Sequence, residues 1–489
     1  MGQQVESLRF AVRSRVLLKY FGQLSFLFAI LTTAPFFFSL LTGEYHLGFR
    51  YGIVIAVSAV LGYLLNRVDA PDDMQDNEAL VLSAAIFIFT PLLISFPMMG
   101  SGLSFVDALF EAVSGVTTTG LSTLGSVEQM PRTFLLSRAW LQWVGGLGIV
   151  VLSVAFLLPQ CRVRRRLFVG NWEEGSLLAS TKTYARLVLN VYLLLTISGI
   201  AALLILGVDW FNALTHILAA VSTGGFSTYD DSLSGLGGWY AQAVVTLFCF
   251  LGAVPLGIYY HSFQQGWQEF FGDGEIRTLF CAGITVTILL VLCMHLLDGF
   301  SLQDALRHGP LLAFSAQTTA GFASVTVADL SPASKLLLLV SMMVGGNVGS
   351  TAGGIKILRL IIVCSVVKMI IVRSGMPAHA VTEPHFMGRR FEAAEIERAF
   401  CLFVLFVAVV LFSWLPFIVM GYDPVDALFE IASATGTVGL SVGLSAADLP
   451  VLLKGVLCVD MLMGRLEMIA LLTLFYPGTW LGKRKREKS

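Results

Sequence analysis

One pattern recurs four times along this chain and limits its fold more than any other feature. The copies read FVDALFEAVSGVTTTGLST to residue 123, WFNALTHILAAVSTGGFST to 228, LQDALRHGPLLAFSAQTTAGFAS to 324 and PVDALFEIASATGTVGLSV to 442. Each holds Asp or Asn, then Ala-Leu, then a short apolar run. Each ends in Thr-x-Gly-(Leu/Phe)-(Ser/Ala), with the aligned glycines at Gly120, Gly225, Gly321 and Gly439. The third copy carries four extra residues ahead of its glycine. Self-similarity at long spacing marks a repeat architecture.

The chain around these stretches is largely apolar. Of 489 residues, 56% are hydrophobic and 13% charged, about half the charge of a soluble domain. Apolar spans lie near 17–41, 48–66, 78–98, 133–158, 184–207, 238–260, 276–298, 335–372, 397–420 and 451–475. Runs of roughly 20 apolar residues read as membrane-crossing helices, and a dozen residues is too short to cross. The repeated stretches therefore read as re-entrant segments. The expected fold is an all-α membrane protein with two N-terminal helices and four units of span, short helix, loop and span. The expected divisions are 1–70 for the N-terminal pair, then 71–160, 161–265, 266–375 with a broken second helix, and 376–489 with a basic tail. The seven cysteines include no CxxC pair and read as small core residues. The first apolar run is too long for a signal-peptide core and is expected to be retained.

Charge sets the expected orientation. Basic residues cluster at Arg9, Arg13, Arg15 and Lys19; at Arg162, Arg164, Arg165 and Arg166; at Lys368, Arg373, Arg389 and Arg390; and in the tail 483–486. The loops between these clusters hold few. The positive-inside rule places the basic set and both termini in the cytoplasm. Every unit then starts and ends inside, so the repeats run parallel and their glycine loops share one face. Parallel repeats around an axis build a pore, whereas inverted repeats suggest an alternating-access carrier. A net charge of −1 gives no nucleic-acid signature.

Irregular backbone at membrane depth must line water or be buried in protein. Asp107, Asn212, Asp304 and Asp426 are expected to cap the short helices. Each helix then turns its partly negative C-terminal end toward its loop, which favours a cation. Glycine allows backbone angles that turn carbonyls inward, and rings of carbonyls replace the hydration shell of a monovalent cation. The candidate ion site comprises Thr118, Thr119, Gly120 and Leu121; Thr223, Gly224, Gly225 and Phe226; Thr319, Ala320, Gly321 and Phe322; and Thr437, Val438, Gly439 and Leu440. The last set reads Thr-Val-Gly outright, as in potassium filters. Residues 439–443 also match the Gly-x-Ser-x-Gly hydrolase elbow around Ser441. That motif needs a strand, a turn, a helix and a histidine partner, so it is expected to be coincidental and the chain not to be an enzyme. Glu128, Asp230, Asp231, Asp329 and Asp448 follow the loops and read either as a cation-concentrating rim or as solvated loop acids.

On these residues the chain resembles the Trk/Ktr/HKT superfamily of potassium transporters, and within it the bacterial Trk-type membrane subunit. Two further stretches carry the resemblance: Gly345-Gly-Asn-Val-Gly349-Ser350-Thr-Ala-Gly353-Gly354-Ile-Lys356-Ile-Leu-Arg359 and Gly464-Arg465-Leu466-Glu467. The resemblance implies four membrane–pore–membrane repeats around one potassium pathway. It implies a gate at Gly345, Gly346, Gly349, Ser350, Thr351, Gly353, Gly354 and Arg465. The 345–354 run should break the long 335–372 span. An arginine within a span is a functional candidate by default, set against simple pairing with Glu467 or Asp460 or snorkelling to the interface. Lys356 and Arg359 read either as part of the inner mouth or as interfacial anchors. The resemblance further implies a bacterial inner-membrane homodimer and a TrkA-like cytosolic nucleotide-binding subunit. The basic loops 161–186 and 368–398 would serve that subunit or lipid headgroups. The transported ion is expected to be K+, with no organic cofactor. Each repeat has a single filter glycine, followed by Leu or Phe and not Tyr-Gly. That departure keeps open a sodium-dependent or sodium-permeable Ktr-like transporter.

Overall fold

The structure, a computed structural model, describes residues 10–152, 177–377, 383–387 and 389–481. Arg9, the arginines at 162–166 and the tail 483–486 lie outside the described residues, as does most of the loop 161–186. Among the described residues, seven helices are long and apolar enough to cross a membrane: Ser14–Leu41, Tyr45–Asn66, Asp76–Ser101, Arg132–Val151, Tyr184–Ile205, Gly274–Leu296 and Ala393–Val419. Their outer faces leave Leu41, Ile205 and Val419 each 85% exposed. Water would penalise that surface, whereas lipid accepts it. The chain is a multi-pass helical membrane protein.

The other three expected spans are broken. Residues 335–372 form Pro332–Val344 and Ile357–Ser374, interrupted where the glycine run predicts. Two further breaks were not expected. Trp239–Gly252 and Leu256–Gln264 meet at 87°. Pro255 lacks the N–H needed to continue the ladder, and the Leu256 N–H donates instead to Gly349 O at 3.2 Å. Val451–Arg465 and Ile469–Phe475 part at Glu467 and Met468, whose φ angles are +51° and +62°. No proline marks that break. The helix after the glycine loop is thus continuous through Leu152 in the first unit and broken in the other three.

The N-terminal pair packs through small residues. A Cβ on Gly22 would meet Leu65 Cβ at 2.8 Å, and one on Gly62 would meet the Phe26 ring at 2.9 Å. Small residues allow such close approach of membrane helices. Arg13 is 9% exposed and donates to Glu78 at 2.8 Å. Part of the first basic cluster is therefore an internal tie.

Candidate functional site

The four short helices are Phe105–Val116, Trp210–Val221, Leu302–Gln317 and Pro424–Thr435. The third is longer by one turn, so its four extra residues keep the helix face in register. All four end alike. Thr119, Gly224, Ala320 and Val438 donate their N–H back to Ser114, Ala219, Ser315 and Ser433 O at 2.8–2.9 Å. Thr118, Thr223, Thr319 and Thr437 donate to Gly115, Ala220, Ala316 and Ala434 O. This pair of bonds is a Schellman ending, which needs a left-handed residue at its pivot. The pivots are those four threonines, at φ +54°, +52°, +56° and +50°. Threonine there costs roughly 1–2 kcal/mol that glycine would not; the Thr319 hydroxyl accepts from Gly353 N and the Thr223 hydroxyl donates to Ser222 O, whereas those of Thr118 and Thr437 have no protein partner.

Beyond each pivot the strands meet. A Cβ on Gly120 would fall 2.2 Å from Gly224 O, and one on Gly225 would fall 2.1 Å from Ala320 O. On Gly321 it would fall 1.9 Å from Val438 O, and on Gly439 2.1 Å from Thr119 O. The contacts run from first unit to second, third, fourth and back to the first. They close a ring in which each glycine, at φ +74° to +97°, abuts the next unit's backbone. No other residue fits both that angle and that separation.

The caps differ from expectation. Ser104, Asp209, Ser301 and Asp423 accept the first-turn N–H groups. Asp107, Asn212, Asp304 and Asp426 stand three residues later, inside the first turn. A cap must have extended backbone, and a residue already in the helix cannot reach those donors. Two of the four, Asp426 and Asp107, tie units together instead. Lys335 Nζ donates to Asp426 at 2.8 Å and Lys454 Nζ to Asp107 at 2.6 Å.

The segment 345–356 lies against the helix endings and three of the pivot threonines, Thr223, Thr319 and Thr437. Gly353 N donates to Thr319 Oγ1 at 2.7 Å, Thr223 Oγ1 lies 3.4 Å from Thr351 Oγ1, and Gly354 N donates to Gly436 O at 3.0 Å. A Cβ on Gly353 would fall 2.1 Å from Thr437 Oγ1. Thr351 is a node: its hydroxyl reaches Val221 O at 3.0 Å and Gly252 O at 2.9 Å, while its carbonyl accepts from Arg465 at 2.7 Å. Arg465 also reaches Gly145 O at 3.3 Å and is 3% exposed. It pairs with neither Glu467 nor Asp460. Glu467 pairs with Arg359, and Asp460 accepts from Ser413 at 2.6 Å. Lys356 is buried at φ +75° and donates to Ala352 O, so it is not an interfacial anchor. Gly345 O accepts from Gln317 at 3.0 Å; a Cβ on Gly346 would meet Ala352 Cβ at 2.4 Å. Gly349 and Ser350 complete the turn toward the second unit.

Gln142, Arg138, Glu111, Gly145 and Gly252 at the ring were not singled out from sequence, and Gly464 stood only within the Gly464–Glu467 stretch. Gln142 donates to Gly224 O and accepts from Phe226 N at 3.2 Å. Arg138 pairs with Glu111 at 2.8 Å and lies 3.8 Å from the Phe226 ring centroid. Gly145, Gly252 and Gly464 seat the second helices of their units on the short-helix ends. An added Cβ there would fall 2.0, 2.4 and 1.9 Å from Val116, Val221 and Thr435 O. Gly145 and Gly464 each follow their ring glycine by 25 residues and Gly252 by 27, a repeat signal available in the sequence.

Ser441 follows a helix end, not a strand, and its hydroxyl donates to Glu430 at 2.8 Å. Asp230 accepts from Val127 N and Ser126 Oγ, so it ties the loops that follow the first two ring glycines. Partial burial opposes its charge, but the bonds from Val127 and Ser126 prevail and hold its carboxyl below the usual range.

Four repeated units joined through a ring of irregular backbone, with additional membrane helices, define a repeat-built multi-pass membrane protein. The profile of the TrkH cation transport proteins matches residues 49–479, and the chain belongs to that family. It is 31% identical to the Trk system potassium uptake protein TrkH of Halomonas elongata, over 95% of this chain and 99% of that one. It is 29% identical to TrkH of Escherichia coli K12, over 77% and 80%. The crystal structure of the potassium transporter TrkH from Vibrio parahaemolyticus superposes with a TM-score of 0.85 at 26% identity, covering 96% of this chain and all of that one.

Proposed function

We propose that this chain takes up potassium through the ring of loops, with residues 118–121, 223–226, 319–322 and 437–440 as the selectivity filter. The observation that carries this reading is the closed cycle of glycine-to-carbonyl contacts. Main-chain oxygens from four units converge where four helices direct their negative ends, an arrangement suited to a dehydrated alkali cation. The Thr118 and Thr437 hydroxyls are buried without a protein partner, which leaves polar oxygen free beneath the carbonyls. The membrane potential supplies about 2.3 kcal/mol per charge per 100 mV.

Segment 345–354 and Arg465 form the gate. The reading is supported by bonds that hold the segment against the pivot threonines and by a guanidinium that fixes Thr351. The protein acts in the bacterial inner membrane with both termini cytoplasmic, as a homodimer with one pathway per subunit. A TrkA-like nucleotide-binding subunit docks on its basic cytoplasmic loops. Relatives named as parts of a Trk system support that partnership.

Rescue of potassium-uptake-deficient cells at low external potassium tests the reading. Wild type is expected to restore growth, and replacing each ring glycine by serine is expected to lose potassium preference in at least three of four cases. Wild-type preference in all four would overturn it. Sodium competition for tracer uptake separates this reading from a sodium-permeable transporter.

A further inference from the structure

Behind the ring, three strands are held by a fully buried side chain of their own short helix. Glu111 accepts from Ser122 Oγ at 2.6 Å and Thr123 N at 3.0 Å. Glu430 accepts from Ser441 Oγ at 2.8 Å and Val442 N at 3.2 Å. His216 Nε2 lies 3.0 Å from Ser227 Oγ. Its Nδ1 lies 2.8 Å from Asn212 O, which can only accept. In the neutral ring Nδ1 therefore carries the proton and Nε2 accepts from Ser227. These three side chains sit nine residues before their ring glycines, and each is 0% exposed.

The third unit lacks this device. Leu312 occupies the equivalent helix position and Ala323 replaces the serine. Neither side chain can form the bond. The Ala323 N–H instead donates to Ser232 Oγ at 3.1 Å, from the outer loop of the second unit. Leu233 N donates to Ala323 O at 3.0 Å and Ser234 Oγ to Ser324 O at 2.9 Å. Ser232 has φ +52°, a left-handed angle that L-residues seldom adopt without compensation. Its carbonyl lies 3.2 Å from Ser227 Oγ. One residue thus meets the segments that follow both the second and the third ring glycines.

We infer that Ser232 is a positioning residue for the ion site, supplying to the third strand from the neighbouring unit the brace that the other strands take from their own helices. The inference rests on the filter reading above. It makes the third strand's placement depend on an outer loop, and so makes cation discrimination sensitive to a residue that touches no ion.

The test compares Ser232→Gly, Ser232→Thr and Gly321→Ser in the full-length protein, reading the KM for potassium, Vmax and sodium inhibition of rubidium uptake. Glycine suits the left-handed angle but removes the hydroxyl; threonine keeps the hydroxyl and worsens the backbone fit. A hydrogen bond of about 1 kcal/mol corresponds to roughly a fivefold change. Ser232→Gly is expected to raise KM and weaken discrimination about fivefold, more than it alters Vmax, with Ser232→Thr closer to wild type. A purely structural role would reverse that order, because glycine would be the better tolerated. Loss of discrimination in Gly321→Ser with wild-type behaviour in Ser232→Gly overturns the brace and leaves the filter standing. Wild-type discrimination in Gly321→Ser overturns both. If Ser232→Gly fails to reach the membrane, the ratio of KM values for Ser232→Ala and Ser232→Thr decides: equal values overturn the brace.

Discussion

Lys454 Nζ lies 2.6 Å from Asp107 Oδ1, joining the last unit to the first across 347 residues of sequence. The lysine side chain is 5% exposed and the carboxylate 20%. The Lys335–Asp426 pair makes the matching link between the third and fourth units.

Breaking that closure has a predictable cost. Removing one partner of a buried pair leaves a charge uncompensated, and the full penalty is 3–5 kcal/mol. Partial exposure of Asp107 reduces it, so Lys454→Met is expected to destabilise by about 1–3 kcal/mol. Lys454→Met with Asp107→Asn should recover part of the loss. Thermal unfolding in detergent measures both. A single variant with the wild-type midpoint would mean that the pair contributes nothing to closure.

Segment 345–354 is held by specific bonds, so on the proposed gating role shortening it should release the pathway. Deletion of residues 347–352 removes the contacts to Ala253, Gly252 and Thr223. Rubidium flux into cells is expected to rise severalfold. Unchanged or lower flux counts against a gating role for the segment.

Thr351 and Arg465 should act as one unit. Thr351→Val removes the hydroxyl bonds to Val221 and Gly252, and Arg465→Ala releases the Thr351 carbonyl. Each is expected to raise basal flux, and the double variant to exceed neither by much, giving a coupling of about 1 kcal/mol. Strict additivity would place Arg465 in a separate structural role.

Gly464→Ala is expected to be among the most damaging substitutions to a non-ring glycine. Its methyl would fall 1.9 Å from Thr435 O, and only backbone movement relieves that contact. A loss of well over 2 kcal/mol, or failure to accumulate, is the expected outcome. Gly455→Ala on the same helix has open space around it and should be nearly neutral. Equal stability of the two variants would show that the second helix does not press on the short-helix end.

The repeat made much of this architecture legible before any coordinates. Four aligned Thr-x-Gly stretches located the ring residues, and the glycine run located the break in the third unit. What escaped was three-dimensional in origin. Glu467 and Met468 hold left-handed angles without a proline beside them, and local propensity carries no sign of that break. The true caps escaped because Asp107 and its counterparts are the more eye-catching residues, whereas capping depends on backbone angle. Arg13 counted as a cytoplasmic charge, yet it is spent on Glu78. Gln142 and Ser232 act on strands of other units, and no pattern within their own unit announces it.

The most direct measurement places an ion. Crystals or particles of the protein prepared in rubidium should show a density peak enclosed by residues 118–121, 223–226, 319–322 and 437–440, within coordination distance of their main-chain oxygens. The peak should vanish in the Gly321→Ser variant. Rubidium transported by a folded protein with no density inside that ring, or with its peak elsewhere in the membrane, would contradict the central claim.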